Sequence, residues 1–426
     1  MPGRPAVYAA PLVLPICAAP IRDGAVAAVG GRVSAVGPRA EVLRDHPGAA
    51  LTTWPGVLTP GLVNAHAHLQ YSDFAALATS GLPFPDWIRQ LTRRRAGFTH
   101  AMWQESTRRG LAALLRTGTT AVADVVTDVA ALTAAADSGL AGVSYLEVVG
   151  ADDARWAAAM RDALLSAIDG SPAGRTIGVS PHTLYTVGAD VFRDCIAIAR
   201  ERELRLHPHL AETEHEAEYV LAGGGPLAEL SRRLGLEFDL ARAGGSGMSP
   251  TAFLDFLGGL GADVHVAHGV HCDVADRAVL RERGTAVALC WRSNRTLGAG
   301  EPPVAAYLDE GSPLAVGTDS LASCPSLDLL EEVTSLRELA RRQGYGGPDL
   351  DRRLVEAATV GGARAMGLSD VGALRPGCRA DLAVFDVPTG GDPHTALVRY
   401  GAGRCLATVL GGSLVHGRAD GPGWGP

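Results

Sequence analysis

From residue 104 to residue 343 the chain repeats one pattern, a short apolar run followed by a longer amphipathic stretch. The runs at 121–124, 143–148, 176–180, 204–210, 264–267, 286–290 and 314–317 read as strands. Stretches such as 104–116, 189–201 and 326–343 place apolar residues at helical spacing. Parallel strands need crossovers of about this length, so repeated strand–helix units argue for a parallel sheet. The most economical closed form is an α/β fold, a (β/α)8 TIM-like barrel. Catalytic groups of such barrels lie at the C-terminal ends of the strands.

The two ends of the chain read differently. Residues 26–29 and 32–36 are short strands joined by Gly30-Gly31, a hairpin signal. The far end repeats the style at 380–386, then at 407–410 and 413–416 around Gly411-Gly412. We therefore expect residues 1–57 and 366–426 to build one small β-sandwich module, with the barrel between them at 58–365. The apolar start at 6–19 is punctuated by Pro11, Pro15 and Pro20 and reads as part of that sheet rather than as a leader. Glycine clusters at 223–225 and 244–247 bracket a polar helical stretch, 227–243, which is either an excursion at the active-site mouth or a surface insertion. Arg93-Arg94-Arg95 and the charges at 200–205 read as solvated helix faces.

Composition narrows the function classes. Hydrophobic residues make up 47% and charged residues 20%, as expected of a well-cored globular protein. A net charge of -8 offers no basic footprint, which argues against nucleic acid as a partner. No uninterrupted apolar stretch reaches the roughly 18 residues of a membrane span. The seven cysteines are scattered without a CxxC pair, as suits reduced thiols in the cytoplasm. All 38 basic residues are arginine. A Schiff-base lysine and a carbamylated lysine bridging two metals are thereby excluded, so a metal centre here is expected to be mononuclear.

Four segments carry chemistry. His66 and His68 close the run 61–68, and an HxH at a strand end points both imidazoles at one spot, with Asn64 on the same face. Two neutral imidazoles make half of a site for zinc or ferrous iron, although strand-end histidines without a metal read the same way. The second segment is His207-Pro208-His209-Leu210-Ala211-Glu212, in which either histidine could complete the site. Glu212 is a candidate proton shuttle or simply an acid in a helix's first turn. The third contains His265, His268 and His271; the fourth is Gly317-Thr318-Asp319-Ser320, where Asp319 could be a ligand or a helix cap. Each signal is weak alone. Together, in this order at successive strand ends, they are strong.

With these residues, the chain resembles the amidohydrolase superfamily, in its branch of nucleoside and cytosine deaminases. The resemblance covers nearly the whole chain and includes Pro376-Gly377-Cys378-Arg379-Ala380-Asp381-Leu382, similar to that family's PGxxADL signature. It implies that His66, His68, His209 and Asp319 hold one divalent ion, Zn²⁺ or else Fe²⁺. It also implies that Glu212 shuttles a proton, that His268 orients the attacking water, that Asp319 accepts the water's proton, and that the protein is a homodimer. Three segments, 64–72, 84–88 and 317–323, look like aminodeoxyfutalosine deaminases, which act on an adenine nucleoside in menaquinone biosynthesis.

On that resemblance the substrate contacts are expected from His182, Gln70, Trp87 and Ser320. Arg292 is a further candidate, suited to a carboxylate. Three have a plain alternative: His182 as a strand-end histidine, Trp87 as a core tryptophan and Arg292 as a solvent-facing arginine. The family usually has Asn-Pro where this chain has Cys290-Trp291, which leaves the loop there open. Other expectations remain: deamination of S-adenosylhomocysteine, adenosine or guanine, hydrolysis of a triazine-type ring, or an inactive binding relative.

Overall fold

The computed structural model describes residues 5–417. Five strands come first: β1 Ala6–Val13, β2 Ile21–Val29, β3 Arg32–Pro38, β4 Ala50–Thr53 and β5 Val57–Pro60. Nine parallel strands follow through the middle of the chain. They are β6 Leu62–Ala67, β7 Thr119–Val126, β8 Ala141–Val148, β9 Thr176–Pro181, β10 Arg205–Leu206, β11 His209–Leu210, β12 His265–His268, β13 Ala286–Leu289 and β14 Leu314–Val316. The last three are β15 Leu382–Phe385, β16 Cys405–Leu410 and β17 Ser413–His416.

The middle strands form two parallel arcs, β6-β7-β8-β9-β10 and β11-β12-β13-β14. Their residues are buried almost throughout, as expected when helices cover a parallel sheet. The run at 204–210, which reads as one strand, is divided between the arcs. Pro208 has no N–H for a ladder, so β10 pairs with β9 and β11 with β12. A bridge between Leu206 and Val264 spans that break. At the other edge the Thr318 and Asp319 N–H groups donate to the His66 carbonyl at 3.1 and 3.0 Å.

The expected helices are present with adjusted ends. The first runs His100–Arg116, a turn longer than its apolar pattern, because the Thr99 hydroxyl caps it. Ala189–Glu201 has the expected bounds, and Leu329–Arg342 starts after the Asp328 cap. The stretch at 227–243 is two helices, Gly225–Arg233 and Asp239–Ala243. None of the helices among the described residues is long and apolar enough to cross a membrane.

Both ends of the chain meet in one sheet, in the order β17-β16-β15-β5-β1-β2-β3, with β4 beside β1. By hydrogen bonding it is a single eight-stranded sheet. Asp381 of the PGxxADL-like segment is its clasp. Its carboxylate accepts from the Gly411 N–H at 2.7 Å and pairs with Arg379 at 2.8 Å, while its carbonyl accepts from the Gly61 N–H at 2.9 Å. Gly61 alone separates β5 of this sheet from β6, the strand that carries His66.

Candidate metal centre and cavity

The C-terminal ends of β6, β11, β12 and β14 converge, and the four chemical segments of the sequence converge with them. His66, His68, His209, His268, Glu212 and Asp319 are all buried. The His68 and His209 Nε2 atoms are 3.2 Å apart, and Asp319 Oδ1 lies 3.7 Å from Nε2 of both His66 and His68. Two sets of ligand atoms, His66/His209/His268 and His66/His68/Asp319, each fall within 4.8 Å of one another. His66 Nε2 has no hydrogen-bond partner although it is buried. A buried polar nitrogen is seldom left unmatched, so this cluster of imidazoles around one carboxylate fits a divalent cation such as zinc.

Backbone strain marks the same place. Six non-glycine residues among those described have positive φ, and three are Ala211 (51°), His268 (76°) and Asp319 (57°). Side chains rarely adopt that conformation. Local bonds hold it: the Glu216 carboxylate accepts from the Ala211 and Glu212 N–H groups, both at 2.9 Å. Asn64 bridges β6 to the end of β14, donating to Thr318 Oγ1 at 2.7 Å and accepting from the Thr318 N–H at 3.2 Å.

Environment sets the charge states. Burial, reinforced by the charges of Asp319 and Glu216, pushes the Glu212 carboxyl well above the usual carboxylate range, which favours its protonated form. Burial also works against ionisation of Asp319. The neighbouring His68 and His268, with hydrogen bonds from Ser293 and Ser323, nevertheless hold it below its usual value. Those hydroxyls donate to Oδ2 at 2.6 and 2.8 Å, leaving Oδ1 facing the histidines. His268 is pushed down to about 4 mainly by burial. Its Nδ1 accepts from Asn294 at 3.1 Å, and its Nε2 faces Glu212 Oε1 at 3.7 Å.

The cluster forms the floor of a cavity of about 120 Å³. Of the expected substrate residues, His182, Trp87 and Ser320 line it. His182 bonds Thr186 through Nδ1 at 2.8 Å, and Trp87 Nε1 donates to the Ala322 carbonyl at 3.0 Å. Two expected residues are elsewhere. Gln70 is turned inward, donating to Thr127 at 2.6 Å and accepting from the Thr127 and Asp128 N–H groups. Arg292 is buried rather than solvent-facing, and its guanidinium is paired with Glu331 and bonded to Ser326, away from the cavity wall.

Sequence reasoning missed Glu147 and Arg95, which also line the cavity. Glu147 is the charged residue near the end of the apolar strand β8, a signal available in the sequence. Burial opposes its ionisation, yet His182, His68, Arg95 and a Thr127 hydrogen bond at 2.6 Å draw it below the usual range. Arg93 and Arg94 are exposed, as expected of a solvated face, but Arg95 departs from that reading. It ends the helix Phe84–Arg95 half-buried, with its guanidinium 5.9 Å from the Tyr71 ring centre. Beyond Arg95 the cavity meets an outer chamber of about 560 Å³, walled by Phe98, Trp103, Leu227, Leu230 and Leu236. Three of these come from 227–243, so that segment lines the outer chamber.

The profile of the amidohydrolase family matches residues 57–415. A 5-methylthioadenosine/S-adenosylhomocysteine deaminase of Haloarcula marismortui is 31% identical over 374 residues, covering 86% of this chain and 80% of that protein. An aminodeoxyfutalosine deaminase of Deinococcus radiodurans is 34% identical over 354 residues, covering 81% of each. Among solved structures, an adenosine deaminase from Xanthomonas campestris with bound zinc superposes with a TM-score of 0.80 at 25% identity, covering 97% of this chain and 93% of that one. Profile, relatives and fold agree: the chain belongs to the amidohydrolase family and is a hydrolase acting on carbon–nitrogen bonds.

Proposed function

We propose that the protein is a metal-dependent deaminase of an adenine nucleoside, with aminodeoxyfutalosine as substrate and a place in menaquinone biosynthesis. The observation that carries the reaction is a buried Glu212, its carboxyl held well above the usual carboxylate range, beside a cluster of imidazoles and the Asp319 carboxylate. His66, His68, His209 and Asp319 would hold one zinc ion, with iron as the other candidate. When bound, such an ion activates water at neutral pH.

The side chains do the rest. Glu212 gives its proton to N1 of the purine, which makes C6 electrophilic. Asp319 takes one proton from the attacking water, whose oxygen His268 orients toward C6. The new C–O bond forms, and Asp319 passes its proton to the amino nitrogen. Ammonia leaves as the C–N bond breaks, and the remaining hydroxyl proton returns to Glu212. The product carries a carbonyl at C6 and a hydrogen on N1. Glu147, ionised and facing the cavity beside His182, is placed to accept hydrogen bonds from ribose hydroxyls.

Substrate choice rests on the outer chamber. Its lining joins the apolar and aromatic Phe98, Trp103, Leu227, Leu230 and Leu236 to the polar Thr127, Asp128 and Arg155, and it shares Arg95 with the inner cavity. An aryl arm ending in a carboxylate suits that combination better than a zwitterionic amino acid does. The second reading, S-adenosylhomocysteine deamination, is favoured by the Haloarcula relative. Ammonia release from aminodeoxyfutalosine, S-adenosylhomocysteine and adenosine by zinc-loaded protein decides between them. A preference for the first in kcat/KM supports the proposal, and a preference for either other substrate overturns the substrate while keeping the chemistry.

We also read the two arcs as one closed (β/α)8 barrel at 58–365, supported by the hydrogen bonds at both edges. The terminal sheet would then be one module, from 1–57 and 366–426. A cytoplasmic homodimer completes the proposal, tested by the sedimentation mass.

A further inference from the structure

Behind the metal centre are two histidines that the reaction does not use. His207 and His265 are fully buried and stacked, with ring centres 3.8 Å apart and planes 15° from parallel. Tyr145 packs against both. His66 Nδ1 lies 2.8 Å from His207 Nε2. His207 Nδ1 lies 2.9 Å from the His265 carbonyl, and His265 Nε2 lies 3.1 Å from the Ala65 carbonyl. The chain of contacts leaves β6 at His66 and returns to it at Ala65.

Carbonyl oxygens only accept, and this decides where the protons are. His207 must carry its proton on Nδ1, to donate to the His265 carbonyl. In a neutral ring, its Nε2 is then an acceptor. His66 must therefore donate from Nδ1, which leaves its Nε2 as a bare lone pair. That Nε2 is the atom with no protein partner, and it faces Asp319 Oδ1 at 3.7 Å. We infer that His207 is a positioning residue for the metal centre. Held by the carbonyl of His265, it locks His66 in the tautomer and ring orientation that offer Nε2 to the cation. Metal-binding histidines commonly donate their second N–H to a carboxylate, a carbonyl or water. Here a neutral imidazole accepts it, so the second nitrogen is anchored without adding charge to the centre.

The inference predicts a difference between two substitutions. A glutamine at 207 offers an amide oxygen to His66 and an amide N–H to the His265 carbonyl, so it can keep both bonds. A leucine of similar bulk keeps neither. The test is the zinc dissociation constant of the metal-free protein, measured by competition with a chromogenic chelator. Loss of an outer-sphere partner typically costs about 10–100-fold in metal affinity. His207→Leu should show a loss of that size, and His207→Gln should recover most of it. Leucine binding zinc within about twofold of the unsubstituted protein would overturn the inference. So would equal losses in both variants, because packing alone would then explain the effect.

Should the leucine variant not fold, the unsubstituted protein gives the answer directly. Histidine labelled with ¹⁵N reports each ring's tautomer in the metal-free and zinc-loaded states. Protonated Nδ1 on both His66 and His207 is expected, and a proton on Nε2 of His66 in the metal-free protein overturns the inference.

Discussion

Gly317 precedes Thr318 and Asp319 at the end of β14, and it has no room for a side chain. A Cβ there would lie 2.6 Å from the Cβ of His66 and 2.9 Å from Cys290 Sγ. Gly317→Ala should therefore displace His66 and lower zinc content, read by elemental analysis, while the protein still folds. Glu212→Gln tests another function. It should keep the metal and lose about 10²–10⁴-fold in kcat, the usual worth of a general acid, as measured by ammonia release. The residues behind both predictions were legible because spacing carried them: HxH, HxHxxE and GTD each place polar groups at a strand end. Glu147 left a weaker trace, one acid near the end of an apolar strand, and Arg95 left none, since it stands in an arginine run and its neighbours come from distant segments. Gln70 and Arg292 show the opposite error. Gln70 stands beside the HxH motif and Arg292 just past a strand end, yet their hydrogen bonds turn them into the framework.

Among elements, the strand–helix alternation was readable because buried parallel strands are continuous apolar runs. The break at Pro208 was not, since periodicity counts apolar residues and not ladder donors. The terminal pieces were readable as strands, but not their order, which depends on pairings across more than 300 residues. Asp381 supports that order. Asp381→Ala leaves the Gly411 N–H and Arg379 without their carboxylate, and should lower stability by about 1–3 kcal/mol, seen as an earlier thermal transition. The helix Leu329–Arg342 supplies a pH-dependent case. Glu332, buried and accepting from the Arg292 N–H at 3.1 Å, is pushed by burial from 4.5 to about 8. A raised acid holds its proton in the folded chain while the unfolded chain releases it. Its contribution is therefore full below about pH 4.5 and lost as pH rises through about 8. Thermal unfolding of Glu332→Gln should lose less stability over that interval than the unsubstituted protein.

At the scale of the molecule, the cavity and outer chamber bring together the helix Phe84–Arg95, the end of β8 and the segment at 227–243. Arg95 joins the two spaces, so Arg95→Leu should separate their contributions. For aminodeoxyfutalosine, KM should rise about tenfold or more, the worth of one charge-assisted hydrogen bond, with adenosine nearly unaffected. Equal effects on both substrates would place Arg95 in the framework instead. The junction at Gly61 bears on how the enzyme is made. A ribosome that has released residues 1–381 has synthesised every proposed metal ligand, yet β5 still lacks β15 along one edge. The strand holding His66 and His68 is thus tethered to a sheet that stays unfinished until β15, β16 and β17 have been made.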